Sequence, residues 1–496
     1  MKKILLYSAA CMLALSSCDM DINENPNYPS SGDITPTLVF PAVVNSVVDV
    51  PGEQMFILGG FFVQYFEQRP EQNQYNEIAE LHFDESSDLF NRCYRTIYAG
   101  ALQDIKDIEG KTTNTANLFA CKVMKALALQ YMVDACSDAP YSEACMGSEN
   151  PNPKWEDGAT VYKGVLAEVD EAEAALTGET MDMTDPLLGG DLAKWKQLAN
   201  ALRLRMYLRL IDGGVDASTY TAKVKTIVTN GELPAGDVTY DVYSDAEGQY
   251  NPWYGSVFEL GTNNYCAAHP LIAYYQATND PRIGYAILPA TATSKYVGLM
   301  PGSRTLYQDW DGTKMYNKDV STINTDVARA MPIYVFTKSE IDFLKAEVEL
   351  RFNNNAAAAK ADYEAGVKAD FASRGVDGVA DFLAGERVNF DAQTSDNDKL
   401  KLIYMQKWAA YFYRNHMEAW SEMRRTDVPV QSSLTTEEAY KMPTLYTAGE
   451  VFSPGLNYYG NGKTCKRLPY PSSARKLNKN TPAVKTLADP VFWDVK

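Results

Sequence analysis

Apolar side chains recur at helical intervals through most of the first half of the chain. Between Asp88 and Ile108, Leu89, Cys93, Ile97, Ile105 and Ile108 fall mostly on one face, and between Asn117 and Val133 so do Cys121, Met124, Ala128 and Tyr131. Val161 to Leu176 predicts a third amphipathic helix ending at Gly178, and Leu192 to Ile211 a fourth, striped by Trp195, Leu198, Ala199, Leu202 and Met206. Asp191 is placed to cap that helix, and Gly213-Gly214 to stop it. Met55 to Phe66 is apolar nearly all round but shorter than the roughly 20 residues a membrane span needs, which predicts burial among other helices.

The period then changes. From about Asn230 to Pro332, turn formers and aromatics dominate and Val238, Tyr240 and Val242 alternate with Thr239, Asp241 and Tyr243, as in a short strand. Helical spacing returns at Thr337, where Thr337 to Glu340 has capping-box spacing and Ile341, Leu344, Val348 and Phe352 follow. A second helix carries Tyr363, Val367 and Phe371, and the pair spans about one tetratricopeptide-repeat length of roughly 34 residues. Leu400 to Tyr413 is the last strong helix, and the tail from Pro443 is loop-rich. The pattern predicts a mainly α fold of helical hairpins, with its helical core over about 36–230 and 333–430 and an irregular insert with short strands over about 231–332.

The N-terminus adds an address. Lys2 and Lys3 precede an apolar run from Ile4 to Leu15, and Leu15-Ser16-Ser17-Cys18 closes it: a signal peptide over 1–17 with a lipobox cysteine at the cut. Acylated on Cys18, the mature chain is held firmly if two or more acyl chains are attached. Residues 18–35, dense in Asn, Pro, Ser and Gly, have tether composition, and the body runs over 36–496. Loss of residues 1–17, which carry Lys2 and Lys3, takes the net charge from −18 to −20. Such a body repels phosphate backbones, which argues against nucleic acid as a partner.

Catalytic chemistry has little support. His82, His269 and His416 show no i, i+4 spacing for zinc, no G-x-S-x-G elbow occurs, and no cofactor is indicated. Gly462-Lys463-Thr464 reads as a hairpin turn at Asn461-Gly462 rather than a phosphate loop, and Asp309-Trp310-Asp311-Gly312 lacks the downstream acidic ligand of a calcium loop. Six cysteines remain beyond Cys18; Cys93 and Cys121 read as buried apolar groups, and Cys136 and Cys145, flanking a short turn, are the best disulfide pair. The 32 tyrosines and 7 tryptophans instead supply flat faces with polar edges, suited to stacking on sugar rings. Trp195 and Trp408 lie on apolar helix faces, so the candidate ligand contacts are Trp253, Tyr254, Trp310 and Tyr316 in the insert, with Tyr75 in the polar Glu71 to Asn76 loop.

Several segments together resemble the SusD/RagB-like nutrient-binding outer-membrane lipoproteins. They are Cys18 with Asn23-Glu24-Asn25-Pro26-Asn27, Ala126 to Tyr131 with Asp138-Ala139-Pro140-Tyr141, Lys194 to Arg205, Glu340 to Glu347, Gln406-Lys407-Trp408, Glu418 to Thr426 and Arg467-Leu468-Pro469-Tyr470-Pro471. The resemblance implies four tetratricopeptide-like helix pairs and a lipid-anchored protein on the outer membrane, facing the cell surface. It also implies a partner, a SusC-like TonB-dependent barrel over which the body sits as a hinged lid, and a glycan or sometimes a peptide as the captured nutrient. It names no functional residue beyond Cys18. The competing readings are a surface glycoside hydrolase using an Asp/Glu pair and a helical-repeat adaptor that binds only proteins.

Overall fold

The structure is a computed structural model and describes residues 35–495 except Glu85, Leu260, Thr262, 303–313, 455–461 and Val484. The signal peptide, Cys18 and the Asn23 to Asn27 element lie outside the described residues, as do Trp310 with its flanking aspartates and Asn461. Among the described residues no helix is long and apolar enough to cross a membrane.

The chain opens with helices α1 (Pro36–Gly52) and α2 (Gln54–Phe62), followed by a composite helix α3, which is α over Asn91–Arg95, π over Thr96–Leu102 and α again over Gln103–Glu109. Four hairpins then form the body: α4 (Thr115–Cys136) with α5 (Gly158–Ala174), α6 (Leu192–Asp212) with α7 (Ala217–Asn230), α8 (Lys338–Arg351) with α9 (Ala356–Arg374), and α10 (Asp396–Tyr411) with α11 (His416–Thr426). The mainly helical, hairpin-built fold is thus the one the periodicity predicts. Asp191 caps α6 by accepting the N–H groups of Ala193 and Lys194, as its position suggests. The 213–216 turn sends the chain back into α7.

Two expectations need correction. Thr337 caps α8 through the Glu340 N–H at 3.0 Å, but the Glu340 carboxylate engages Arg205 of α6 at 2.7 and 2.9 Å instead of completing a capping box. Cys136 and Cys145 do not pair: both thiols are free, Cys136 Sγ directed at the Pro469 carbonyl and Cys145 Sγ at that of Tyr98. Cys93 and Cys121 are buried in the main core as read.

Short strands tie the insert to the helices. β4 (Val238–Tyr240) pairs antiparallel with β8 (Ile333–Phe336), closing the insert at its base. β1 (Phe66–Gln68), continuing from α2, pairs with β5 (Tyr265–Ala267), which pairs with β7 (Thr322–Ile323) and, through it, β6 (Ile287–Leu288). A two-stranded ribbon of β2 (Asp138–Pro140) and β3 (Trp155–Asp157) joins α4 to α5.

The hairpins meet around α11, a helix of largely polar sequence whose every residue is buried. Its Glu418 faces Arg209 and Arg205 of α6, and Gln130 of α4 donates to it at 2.7 Å. Arg209 also pairs with Asp134 of α4, which accepts from the indole of Trp493 at 2.9 Å. Arg425 holds Glu347 of α8 with two nitrogens, each at 2.7 Å, and reaches Asp212 at the end of α6 at 2.6 Å. Burial opposes the charge of Glu347, but Arg425 and Arg351 overcome it and hold that carboxyl down at about 2. Among the described residues Glu340 has Arg205 alone as its close cation, so burial prevails and pushes it up to about 6.

Close approach to α11 depends on two glycines of α2. A Cβ on Gly59 would lie 2.4 Å from the His416 carbonyl oxygen, and one on Gly60 would lie 2.5 Å from the Phe66 ring. His416 is fully buried, its Nε2 accepting the Tyr413 N–H at 3.0 Å and its Nδ1 donating to the Phe56 carbonyl at 2.8 Å. Burial pushes its imidazole down to about 3, so the ring is neutral and structural.

Removing Glu418 leaves Arg205 and Arg209 in the interior short of an anion. Glu418→Ala is expected to lower the unfolding free energy by about 3–5 kcal/mol, read from urea unfolding followed by circular dichroism. A loss below about 1 kcal/mol would show that the network is not what holds the hairpins together.

Candidate functional site

β1 leaves the sheet at Gln68 and the chain turns through Arg69, Pro70 and Glu71. That turn docks on a single 3-10 turn, Asn317–Asp319: Glu71 Oε2 accepts the Asn317 N–H at 2.9 Å, and Asn317 Oδ1 accepts the Glu71 N–H at 3.4 Å. Asp319 accepts the Tyr316 N–H at 2.9 Å and fixes that residue at the start of the turn. Between these segments and the Pro289 to Thr291 loop lies an open groove of about 380 Å³. Tyr316 lines it with 37 % of its surface exposed, beside the side chains of Asn317, Thr291 and Thr322. An open ring bordered by amide and hydroxyl groups is the arrangement that stacks on a sugar ring and hydrogen-bonds its hydroxyls. Glu71 is the one carboxylate that lines the groove among the described residues.

The structure separates the sequence-derived contacts. Tyr316 is open to a ligand, and the loop that holds Tyr75 reaches the same groove through Glu71 rather than Tyr75. Tyr75 itself is 8 % exposed and packs its ring between Phe61 and Tyr265, with centroids 5.4 and 5.2 Å away. Trp253 has no exposed surface: it stacks on Phe66 at 5.7 Å and packs against Phe56 at 4.6 Å and Tyr413 at 5.4 Å. No face of that ring is open to a ligand, because the short helix Pro252–Val257, capped by Asn251, turns it into the core. Tyr254 is half-buried outside the groove, between Tyr250 and Phe258, and its hydroxyl accepts from Arg329 Nε at 3.2 Å. Trp310 lies outside the described residues. The groove's Arg69, Asn317 and Lys318 have no motif around them, and only the polar composition of their loops marks them.

A larger cavity of about 510 Å³ opens beside the end of α11, lined by Arg424, Lys466, Asp427 and Gln431 among others. No aromatic side chain lines it among the described residues, so it offers no stacking face. Two of its cations are engaged by the protein: Arg424 donates to the carbonyls of Asp134 and Lys466 at 2.8 and 2.9 Å, and Lys466 pairs with Asp494 at 2.9 Å. The smaller groove is the better ligand site.

Comparison with known proteins agrees with the fold. The SusD-like family, described as "Starch-binding associating with outer membrane", matches residues 30–446. A SusD homolog from Bacteroides uniformis superposes with a TM-score of 0.72 at 20 % identity, covering 92 % of this chain and 99 % of its own. A chitin-binding SusD homolog from Flavobacterium johnsoniae gives 0.70 at 22 %, covering 93 % and 98 %, and a SusD/RagB family protein from Bacteroides thetaiotaomicron gives 0.73 at 20 %, covering 93 % and 99 %. No curated protein sequence matches the chain.

The burial of the two rings assigns them different roles. Trp253→Ala empties a packed aromatic cluster and is expected to cost about 3–5 kcal/mol of stability, whereas Tyr316→Ala is expected to stay within about 0.5 kcal/mol. Thermal unfolding of both variants checks this; equal losses would place Tyr316 in the core.

Proposed function

The chain belongs to the SusD-like family, and from that premise we propose that it is a non-catalytic glycan-binding lipoprotein which hands an oligo- or polysaccharide to a SusC-like TonB-dependent outer-membrane barrel. The observation that carries the reading is the open Tyr316 ring in a groove rimmed by Asn317, Thr291 and Thr322. The family's description as starch-binding and the chitin-binding relative support a glycan over other nutrients. Hydrolysis of a glycosidic bond by the usual mechanism takes two carboxyl groups flanking it. Glu71 alone lines this groove among the described residues, and one of its oxygens is occupied by the Asn317 N–H.

Delivery to a barrel needs the binder kept at the membrane. Acylated Cys18 and the 18–35 tether supply this, an anchored end and a length of chain with few apolar residues that leaves the body free to move against its partner.

Two experiments test this. Calorimetric titration of the full chain, in a detergent without a sugar headgroup, against a glycan panel is expected to give binding without product release, weakened about tenfold or more by Tyr316→Ala, the order of one lost stacking contact. Release of shortened glycan would sink the non-catalytic reading. In cells, Cys18→Ala is expected to shift the protein from the membrane to the soluble fraction and to reduce copurification of a barrel; unchanged membrane retention would make the anchor dispensable.

A further inference from the structure

Resting on the glycan-binding reading, we propose that the Tyr316 groove selects acidic glycans, chains bearing uronic acid carboxylates or sulfate esters, over neutral ones. The juxtaposition behind this is a set of cations gathered around the groove's open aromatic ring. The Lys314 and Lys318 ammonium groups lie 5.0 and 5.7 Å from the Tyr316 ring centroid. Arg69 lines the groove beside them, and exposed Lys295 sits on the adjoining turn, which the Ala292 N–H ties to the Lys318 carbonyl at 2.9 Å.

Among the described residues these charges are poorly neutralised. The carboxylate paired with Lys318 is Asp319, at 3.8 Å, and the lysine side chain is 63 % exposed. Lys314 has no ion pair among the described residues. Arg69 donates to the Asn263 carbonyl at 3.1 Å, while its Nε is buried with no hydrogen-bond partner among the described residues. Burial lowers the Arg69 pKa from its ordinary value, as expected for a guanidinium short of partners. Glu71, the lining carboxylate, is held by the Asn317 N–H.

The consequence is a local reversal of sign on a chain of net charge −18. A neutral sugar stacking on Tyr316 would share the ring's surroundings with two ammonium groups and gain nothing from their charge. A sugar carrying a carboxylate or sulfate can stack on the same ring while accepting charge-assisted hydrogen bonds from the lysines and from Arg69. Groove and ligand then neutralise each other, which the described residues do only in part.

The test is calorimetric titration of the full chain, in a detergent without a sugar headgroup, against polygalacturonate, chondroitin sulfate, amylose and chitin oligosaccharides. Expected are tighter binding of an acidic glycan than of either neutral one and loss of about tenfold in affinity as salt rises from about 50 to about 500 mM, because the Debye length shrinks below the spacing of the charges. The Lys314→Gln, Lys318→Gln double variant is expected to weaken acidic-glycan binding about three- to tenfold, the size of two solvent-exposed charge contacts, and to weaken any neutral binding less. A neutral glycan bound as tightly as the acidic ones overturns the inference and leaves the glycan reading standing. Acidic binding that the double variant does not weaken also overturns it, by moving the site elsewhere. Failure of all four glycans to bind counts against the glycan reading and takes this inference with it.

Discussion

The fold depends on a set of charges that are stable only in one another's company. Arg205, Arg209, Glu418, Glu422, Glu347 and Arg425 are all nearly or fully buried, and each alone would carry a desolvation penalty of several kcal/mol. Glu422 meets Arg425 on its own helix, but others are satisfied by groups far away in sequence: Arg209 meets Glu418 across 209 residues, and Arg205 meets Glu340 across 135. No single hairpin meets all of these charges, so the hairpins are stable as a set. Because apolar side chains of similar volume can stabilise a core as well as buried ions, we read the network as fixing which helices pack and in what register.

That rigidity is passed to the ligand face through a second buried cluster. Arg282, just before the short helix Ile283–Ala286, binds Asp280 beside it, Asp370 of α9 at 2.8 Å and Gln406 of α10 at 2.8 Å. Gln406 in turn donates to the Tyr274 hydroxyl at 2.7 Å, and Arg374 joins through Asp370 at 3.0 Å. The insert is therefore gripped at its β4–β8 base and again at its middle, while the loops around Tyr316 carry exposed side chains. A scaffold of this kind lets loop residues change without disturbing the core, which suits sites that must match different ligands.

Legibility in the sequence follows the same division. A helix with one apolar stripe, such as α5, was readable because its polar side chains stay out of the core. α11 was not, since Glu418, Glu422, Arg424 and Arg425 imitate a solvated face while lying buried in the centre of the molecule. Periodicity detects where apolar groups go and cannot detect that polar groups follow them inside. Trp253 fails for the opposite reason: its loop composition suggested exposure, yet Asn251 caps a short helix that turns the ring inward. Tyr316 was legible as an aromatic among turn formers, but the cations around it were not, because Arg69 and Lys318 are 249 positions apart and only the β1–β5–β7 sheet brings their loops together.

Net charge shows what such averaging hides. A total of −18 is a statement about the field far from the molecule, and it is a sound argument against large polyanions that must approach over a broad surface. At physiological ionic strength that field decays over about 8 Å, so a ligand already in the groove responds to the groups within its reach. Among the described residues there, Lys314, Lys318 and Arg69 stand against Glu71 and Asp319, three cations to two anions. The chain's total acidity therefore describes its distant field and does not fix the sign of charge inside the groove.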